Sequence, residues 1–137
     1  MADVPAPIDV TQTSEWHALQ QHFEKIQSSG ANLKSWFAND PQRVKKLSYD
    51  LSDLHFDLSK NLVSDETIKL LVALGKAVDL EGRRDAMFSG VHINTTEDRA
   101  VLHTALRRPA SEAGSLIVDG QDAVADVHEV LDRMYAF

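Results

Sequence analysis

The segment at residues 64–78, SDETIKLLVALGKAV, constrains the fold most, because it predicts a helix that is apolar on almost every side. Its polar wedge is narrow and consists of Glu66, Lys69 and Lys76. Such a helix is buried between layers of structure, and this chain offers few elements that could form two layers. We therefore expect the 137-residue chain to be incomplete. Gly75 either allows close helix packing or is a tolerated defect of ~1 kcal/mol.

The other patterns predict a mainly α-helical chain with a small β-hairpin. A Pro-containing leader over residues 1–12 is expected to be disordered. Side-chain oxygens that can cap helices follow the leader at several positions: Thr13 or Ser14, Asp40 (with Pro41 as the first helical residue), Ser64, Asp79, and Thr95 or Thr96. The helices are predicted from Ser14 to a Gly30 cap, around residues 33–37, from Pro41, over residues 64–78, from Asp79 to Phe88, over residues 93–109, and from Val124 to Phe137.

Two segments favour β-structure. Apolar and polar residues alternate from Leu47 to Leu58, which predicts an antiparallel hairpin that turns at Ser52-Asp53. The segment LIVDG, residues 116–120, predicts a short strand and turn.

The helix predicted over residues 93–109 carries three basic residues four positions apart: Arg99, His103 and Arg107. This stripe is either an anion site or the solvated edge of a packed helix. A sugar-phosphate site needs several convergent donors on a concave wall, which favours the second interpretation. We expect Arg99 and Arg107 to be structural, pairing with carboxylates or capping helix carbonyls.

Composition excludes several classes of protein. The net charge of -7 argues against nucleic-acid and anionic-membrane partners, and no apolar run reaches the length of a membrane span. The absence of cysteine excludes disulfides and thiolate metal sites. The six histidines have no i,i+4 spacing, so no metal site is expected. The N-terminus has no basic region before an apolar run, so it does not predict a secretion signal, and we expect a cytoplasmic protein.

Residues 81–109, EGRRDAMFSGVHINTTEDRAVLHTALRRP, resemble the N-terminal signature of glucose-6-phosphate isomerases. That signature is Met-Phe-x-Gly followed by Ile-Asn-x-Thr-Glu-x-Arg-Ala-Val-Leu-His-x-Ala-Leu-Arg. The matching residues are Met87, Phe88, Gly90, Ile93, Asn94, Thr96, Glu97 and Arg99 to Arg107, with Thr104 in the variable place. Two flanking segments, 58–61 (LSKN) and 118–122 (VDGQD), are similar to further landmarks of the family. Val91 departs from it, because many members have glutamate there.

The resemblance implies an enzyme of glycolysis and gluconeogenesis that interconverts glucose 6-phosphate and fructose 6-phosphate through a cis-enediol. In the family a glutamate is the base, a histidine and a lysine assist ring opening, and an arginine stabilises the enediolate. No cofactor is implied. The complete enzyme is expected to have two α/β/α sugar-isomerase domains and to act as a homodimer. The catalytic motifs, including a Gly-Ile-Gly-Gly-Ser stretch, follow the point at which this chain stops.

The prediction is therefore an N-terminal segment, residues 1–137, of a glucose-6-phosphate isomerase, without the catalytic remainder. No catalytic, substrate-binding or metal-binding residue is expected within it, and the chain alone should be inactive. The alternative hypothesis is a non-catalytic helical interaction module derived from the same scaffold.

Overall fold

A computed structural model describes residues 6–137 of the chain, and these form two compact units. The first unit is Ile8–Val78, and the second is Asp79–Phe137 together with residues 6–7. Both are mainly helical with a short antiparallel strand pair, which confirms the predicted content. In the described residues the elements are α1 (Ser14–Ser28), α2 (Leu33–Asn39), α3 (Arg43–Lys46), β1 (Ser48–Leu51), β2 (Leu54–Asp57), α4 (Asp65–Ala77), α5 (Leu80–Phe88), β3 (Ile117–Val118), β4 (Gln121–Asp122), α6 (Ala123–Ala136), and 3-10 turns at Val10–Gln12, Ala105–Arg107 and Ala110–Glu112.

The predicted caps define the ends of α1. The Thr13 hydroxyl accepts a hydrogen bond from the Trp16 amide at 3.2 Å, which satisfies one of the free donors of the first turn. After the last turn Gly30 takes a left-handed φ of 64°, and its amide donates to the Gln27 carbonyl. This is the glycine termination that the sequence predicts.

Residues 6–12 correct the predicted extent of the disordered leader. Residues 1–5 of the expected leader lie outside the described residues, but Val10–Gln12 form a 3-10 turn that Asp9 caps. The disordered leader therefore does not extend to residue 12.

The start of α3 differs from the prediction. Asp40 accepts from the Gln42 amide at 3.0 Å, yet the helix begins only at Arg43, so Pro41 lies in the turn before α3.

The predicted hairpin is confirmed. Strands β1 and β2 pair antiparallel with Tyr49 opposite Phe56 and Leu51 opposite Leu54. The connection turns at Ser52, whose φ is 54°. At the open end of the hairpin the Leu58 amide donates to the carbonyl of the buried Leu47.

Helix α4 forms as predicted, but this chain does not bury it. Ser64 and Thr67 form a reciprocal capping box at its start. The Thr67 hydroxyl also lies 2.7 Å from His22 Nε2, which ties α4 to α1. However, Thr67 is the helix's buried residue, and Leu71 and Val72 are about half exposed. The described residues thus do not supply the two layers that would bury α4, as expected from the small number of elements in the chain.

The second unit has a small core of Ala105, Leu116 and Val124, with partly buried apolar neighbours around it. The LIVDG strand and turn are confirmed as β3 and β4, joined by residues 119–120 with positive φ at both positions. This pattern suits a tight two-residue hairpin. Asp122 caps helix α6, and its carboxylate accepts from the backbone amides of Val124 and Ala125.

Candidate functional site

The family signature begins in α5, and its larger part, residues 89–108, is a folded loop rather than an α-helix. Residues 95–98 form a turn closed by Asn94 and Arg99, whose backbone groups exchange two hydrogen bonds of 3.1 Å. Within residues 93–109 the structure assigns only Ala105–Arg107 to a helix, and it is a 3-10 turn. The helix predicted over residues 93–109 is therefore wrong.

Local side-chain hydrogen bonds explain this difference. The Asn94 side chain donates to Glu97 at 3.1 Å and accepts from the Thr96 hydroxyl at 2.7 Å. Asp98 has a φ of 50°, a left-handed conformation that a right-handed helix excludes. Short polar side chains of this kind offer the backbone an alternative to the helix, which a pattern of caps and apolar spacing does not reveal.

His92 connects this turn to the β3–β4 turn. Its Nδ1 lies 2.9 Å from an Asp98 oxygen, and its Nε2 lies 3.1 Å from an Asp119 oxygen. Only the imidazolium form can donate from both nitrogens to two carboxylates. The hydrogen bond to Asp98, and then the hydrogen bond and charge of Asp119, raise the pKa of His92 above its ordinary value of 6.5. His92 thus joins the two turns through hydrogen bonds that depend on its protonation.

The basic stripe expected from Arg99, His103 and Arg107 does not form, because these residues do not share one helix. Arg107 donates to the His103 carbonyl at 3.3 Å, on the protein surface. The Arg99 guanidinium has no hydrogen-bond or ion-pair partner within residues 6–137, so its expected carboxylate partner stays a prediction. The three side chains provide no convergent anion site.

Arg108, which the sequence analysis did not single out, is the arginine that holds this segment in place. Its guanidinium donates to the Phe88 carbonyl at the end of α5 at 3.1 Å and to the Ser115 hydroxyl at 3.0 Å. Its own carbonyl lies 2.9 Å from His128 Nε2 on α6. In the sequence Arg108 is only the second of two adjacent arginines before a proline, and no spacing distinguishes it.

Gly90 lies in the same segment and packs closely against β3. Its φ is 78°, and a Cβ there would lie 2.5 Å from a Val118 methyl carbon. The glycine of the Met-Phe-x-Gly motif is thus required by backbone conformation and by close packing against β3.

A cleft of about 470 Å³ lies beside this segment. Its floor is apolar and includes Leu102, Leu106 and Val127, and its polar lining includes Asp119 and Asp126. No lysine or arginine lines it. An apolar and acidic wall is a poor phosphate site, because phosphate recognition depends on cationic or backbone donors.

The first unit contains a buried cation that sequence reasoning also missed. Arg43 is only 6% exposed. Its Nε donates to the Ser59 carbonyl at 2.8 Å, and its Nη2 donates to the Asn61 and Val63 carbonyls at 2.9 Å each. The guanidinium carbon also lies 4.8 Å from the centre of the Trp36 ring. Arg43 therefore fixes the corner between β2 and α4, at the LSKN landmark.

The described residues form neither a metal site nor a membrane-spanning helix. Within residues 6–137, no group of three or more acidic or histidine side chains is arranged to hold a metal ion. Over the same residues, no helix has both the length and the apolar character needed to cross a bilayer.

Comparison with known proteins gives a consistent result. The family model described as phosphoglucose isomerase matches residues 57–137. The chain is 62% identical over 131 residues to a glucose-6-phosphate isomerase of Bifidobacterium longum, covering 96% of this chain and 23% of that protein. It is 57% identical to the Corynebacterium kroppenstedtii enzyme of the same name, covering 97% and 23%, and 51% identical to that of Mycobacterium tuberculosis, covering 100% and 24%. The chain thus spans about a quarter of the length of these curated relatives, and it belongs to the phosphoglucose isomerase family.

Proposed function

We propose that this chain is the N-terminal portion of a glucose-6-phosphate isomerase, which interconverts glucose 6-phosphate and fructose 6-phosphate through a cis-enediol. The observation that carries the proposal is the identity of 62% to a protein of that name along 96% of this chain. The complete enzyme would have two α/β/α domains, act as a cytoplasmic homodimer and need no cofactor.

Within that enzyme the chain would supply scaffold and no catalytic group. The side chains of Arg43 and Arg108 donate to backbone carbonyls of neighbouring segments. His92 is held by two carboxylates on the surface. Proton transfer between two sugar carbons needs a base and an electrostatic stabiliser that converge on one substrate. These contacts favour a supporting role for the signature segment.

The test is a chimera in which these 137 residues replace the matching quarter of the Bifidobacterium longum enzyme. A coupled assay should detect conversion of fructose 6-phosphate to glucose 6-phosphate by the chimera. The isolated chain, purified from a host without its own isomerase, should show none. Turnover by the isolated chain would contradict the scaffold role, and a folded but inactive chimera would contradict the assignment.

The alternative is a non-catalytic interaction module built on the same scaffold. The large apolar side chains exposed along the chain favour it, since surfaces of this kind mark interaction sites. The coding sequence after Phe137 distinguishes the two: an in-frame Gly-Ile-Gly-Gly-Ser stretch supports the isomerase, and a stop codon supports the module.

A further inference from the structure

The hairpin of β1 and β2 has one apolar and one polar face. Side chains opposite each other in an antiparallel pair lie on the same face, as do residues two apart along a strand. The apolar face therefore carries Tyr49, Leu51, Leu54 and Phe56. On the polar face, Asp50 and His55 are joined by a hydrogen bond of 2.6 Å.

This chain leaves the apolar face uncovered. Tyr49, Leu51, Leu54 and Phe56 are 41%, 66%, 55% and 45% exposed, although antiparallel sheets with this alternation normally pack the apolar face on a core. At the base of the hairpin the alternation continues to Leu47, which is 1% exposed. The row of apolar side chains thus begins at a buried residue and becomes exposed towards the turn.

The total exposed area of the chain is larger than compact proteins of this mass expose. The chain exposes 10220 Å². Two separate compact proteins, each of half this mass, would together expose about 8,600 Å². The excess, about 1,600 Å², is about twice the ~800 Å² that one partner contributes to a standard interface.

We propose that the hairpin face of Tyr49, Leu51, Leu54 and Phe56 is an interface for the part of the family polypeptide that lies beyond the quarter matched by this chain. This inference rests on the proposed function. The relatives are about four times as long as their match to this chain, so they carry enough polypeptide to cover the face within one molecule. A two-stranded hairpin is also only marginally stable until its apolar face is packed.

The experiment compares two cysteine variants on adjacent residues of β2, because the chain contains no cysteine. Leu54→Cys lies on the apolar face, and His55→Cys is the matched control on the polar face. Each is made in the isolated chain and in the Bifidobacterium longum chimera, and alkylation by iodoacetamide is followed by peptide mass mapping. In the chimera, the thiol at position 54 should react roughly tenfold more slowly than the one at 55, or slower still. In the isolated chain the two rates should be similar.

Equal rates in the chimera would overturn the inference. Protection at position 54 that appears in the isolated chain as its concentration rises would also overturn it, because a second copy would then be the occupant. If the Leu54→Cys chimera does not fold, Leu51→Cys on the same face replaces it. Isomerase activity of the unsubstituted chimera is read separately, so a failure of the proposed function is distinguishable from a failure of this inference.

Discussion

Replacing Arg43 by alanine should be the most damaging single change in the first unit. The substitution removes three charge-assisted hydrogen bonds to the carbonyls of residues 59, 61 and 63, with donor–acceptor distances of 2.8 to 2.9 Å. Hydrogen bonds to charged groups contribute about 1.5–3 kcal/mol each. Water can reach the carbonyls of residues 61 and 63, because those bonds are only part-buried. We therefore expect a loss of about 4 kcal/mol, near the lower end of the stability of a natural domain.

The assay is amide hydrogen exchange at Leu58 and Asn61, whose amides donate to the carbonyls of Leu47 and Leu58. A loss of about 4 kcal/mol should accelerate their exchange by roughly three orders of magnitude. Arg43→Lys keeps the charge but cannot donate to all three carbonyls, so it should have an intermediate effect.

Lys45→Ala, on the exposed side of the same helix, is the control and should change exchange by less than about threefold. Exchange in Arg43→Ala that stays within about fivefold of wild type would show that the corner does not depend on this side chain.

Three further predictions concern the second unit. His92 has a raised pKa, so its stabilising contribution is complete below its ordinary pKa of 6.5 and is lost as the pH rises through the folded-state pKa. The denaturant midpoint should therefore fall over that pH window in wild type and change less in His92→Gln. The same pH dependence of the midpoint in both proteins would contradict this assignment. Arg108→Ala should cost about 1–3 kcal/mol, whereas Arg107→Ala, with its single surface bond, should cost about 0.5 kcal/mol or less, with equal losses refuting the distinction. Gly90→Ala should lower the stability measured by thermal denaturation by about 2 kcal/mol or more. Gly114 also has a positive φ but has open space around it, so Gly114→Ala should cost only about 1 kcal/mol. Equal losses would show that packing against β3 is unimportant.

Features determined by nearest neighbours were predictable from the sequence. Thr13, Ser64, Asp79 and Asp122 each cap a helix through their own side chains, and three of these caps were read directly from residue type. The hairpin of β1 and β2 followed from the alternation of apolar and polar residues and from the turn at Ser52-Asp53. These signals lie within a few residues of the structure that they specify.

Features that depend on distant contacts were not predictable in this way. Arg43 lies in the run RVKK, which is typical of a solvated helix, yet it is buried because carbonyls 16 to 20 residues away surround it. Residues 93–109 have helical caps and spacing, but Asn94 and Arg99 pair instead. The pattern of α4 predicts a helix covered on most sides, but it does not identify the polypeptide that would cover it.

The uncovered hairpin face has a consequence for synthesis on the ribosome. The first unit, Ile8–Val78, is contiguous in sequence, so it can begin to fold soon after residue 78 leaves the exit tunnel. At about 5–20 residues per second, the remaining three quarters of a relative-sized polypeptide take on the order of tens of seconds to emerge. Under the proposed function, the apolar side chains of residues 49, 51, 54 and 56 have no cover during that interval, so the nascent chain would be open to chaperone binding and to aggregation. Sequence changes that slow translation after the first unit has emerged would lengthen this exposure without altering the finished protein.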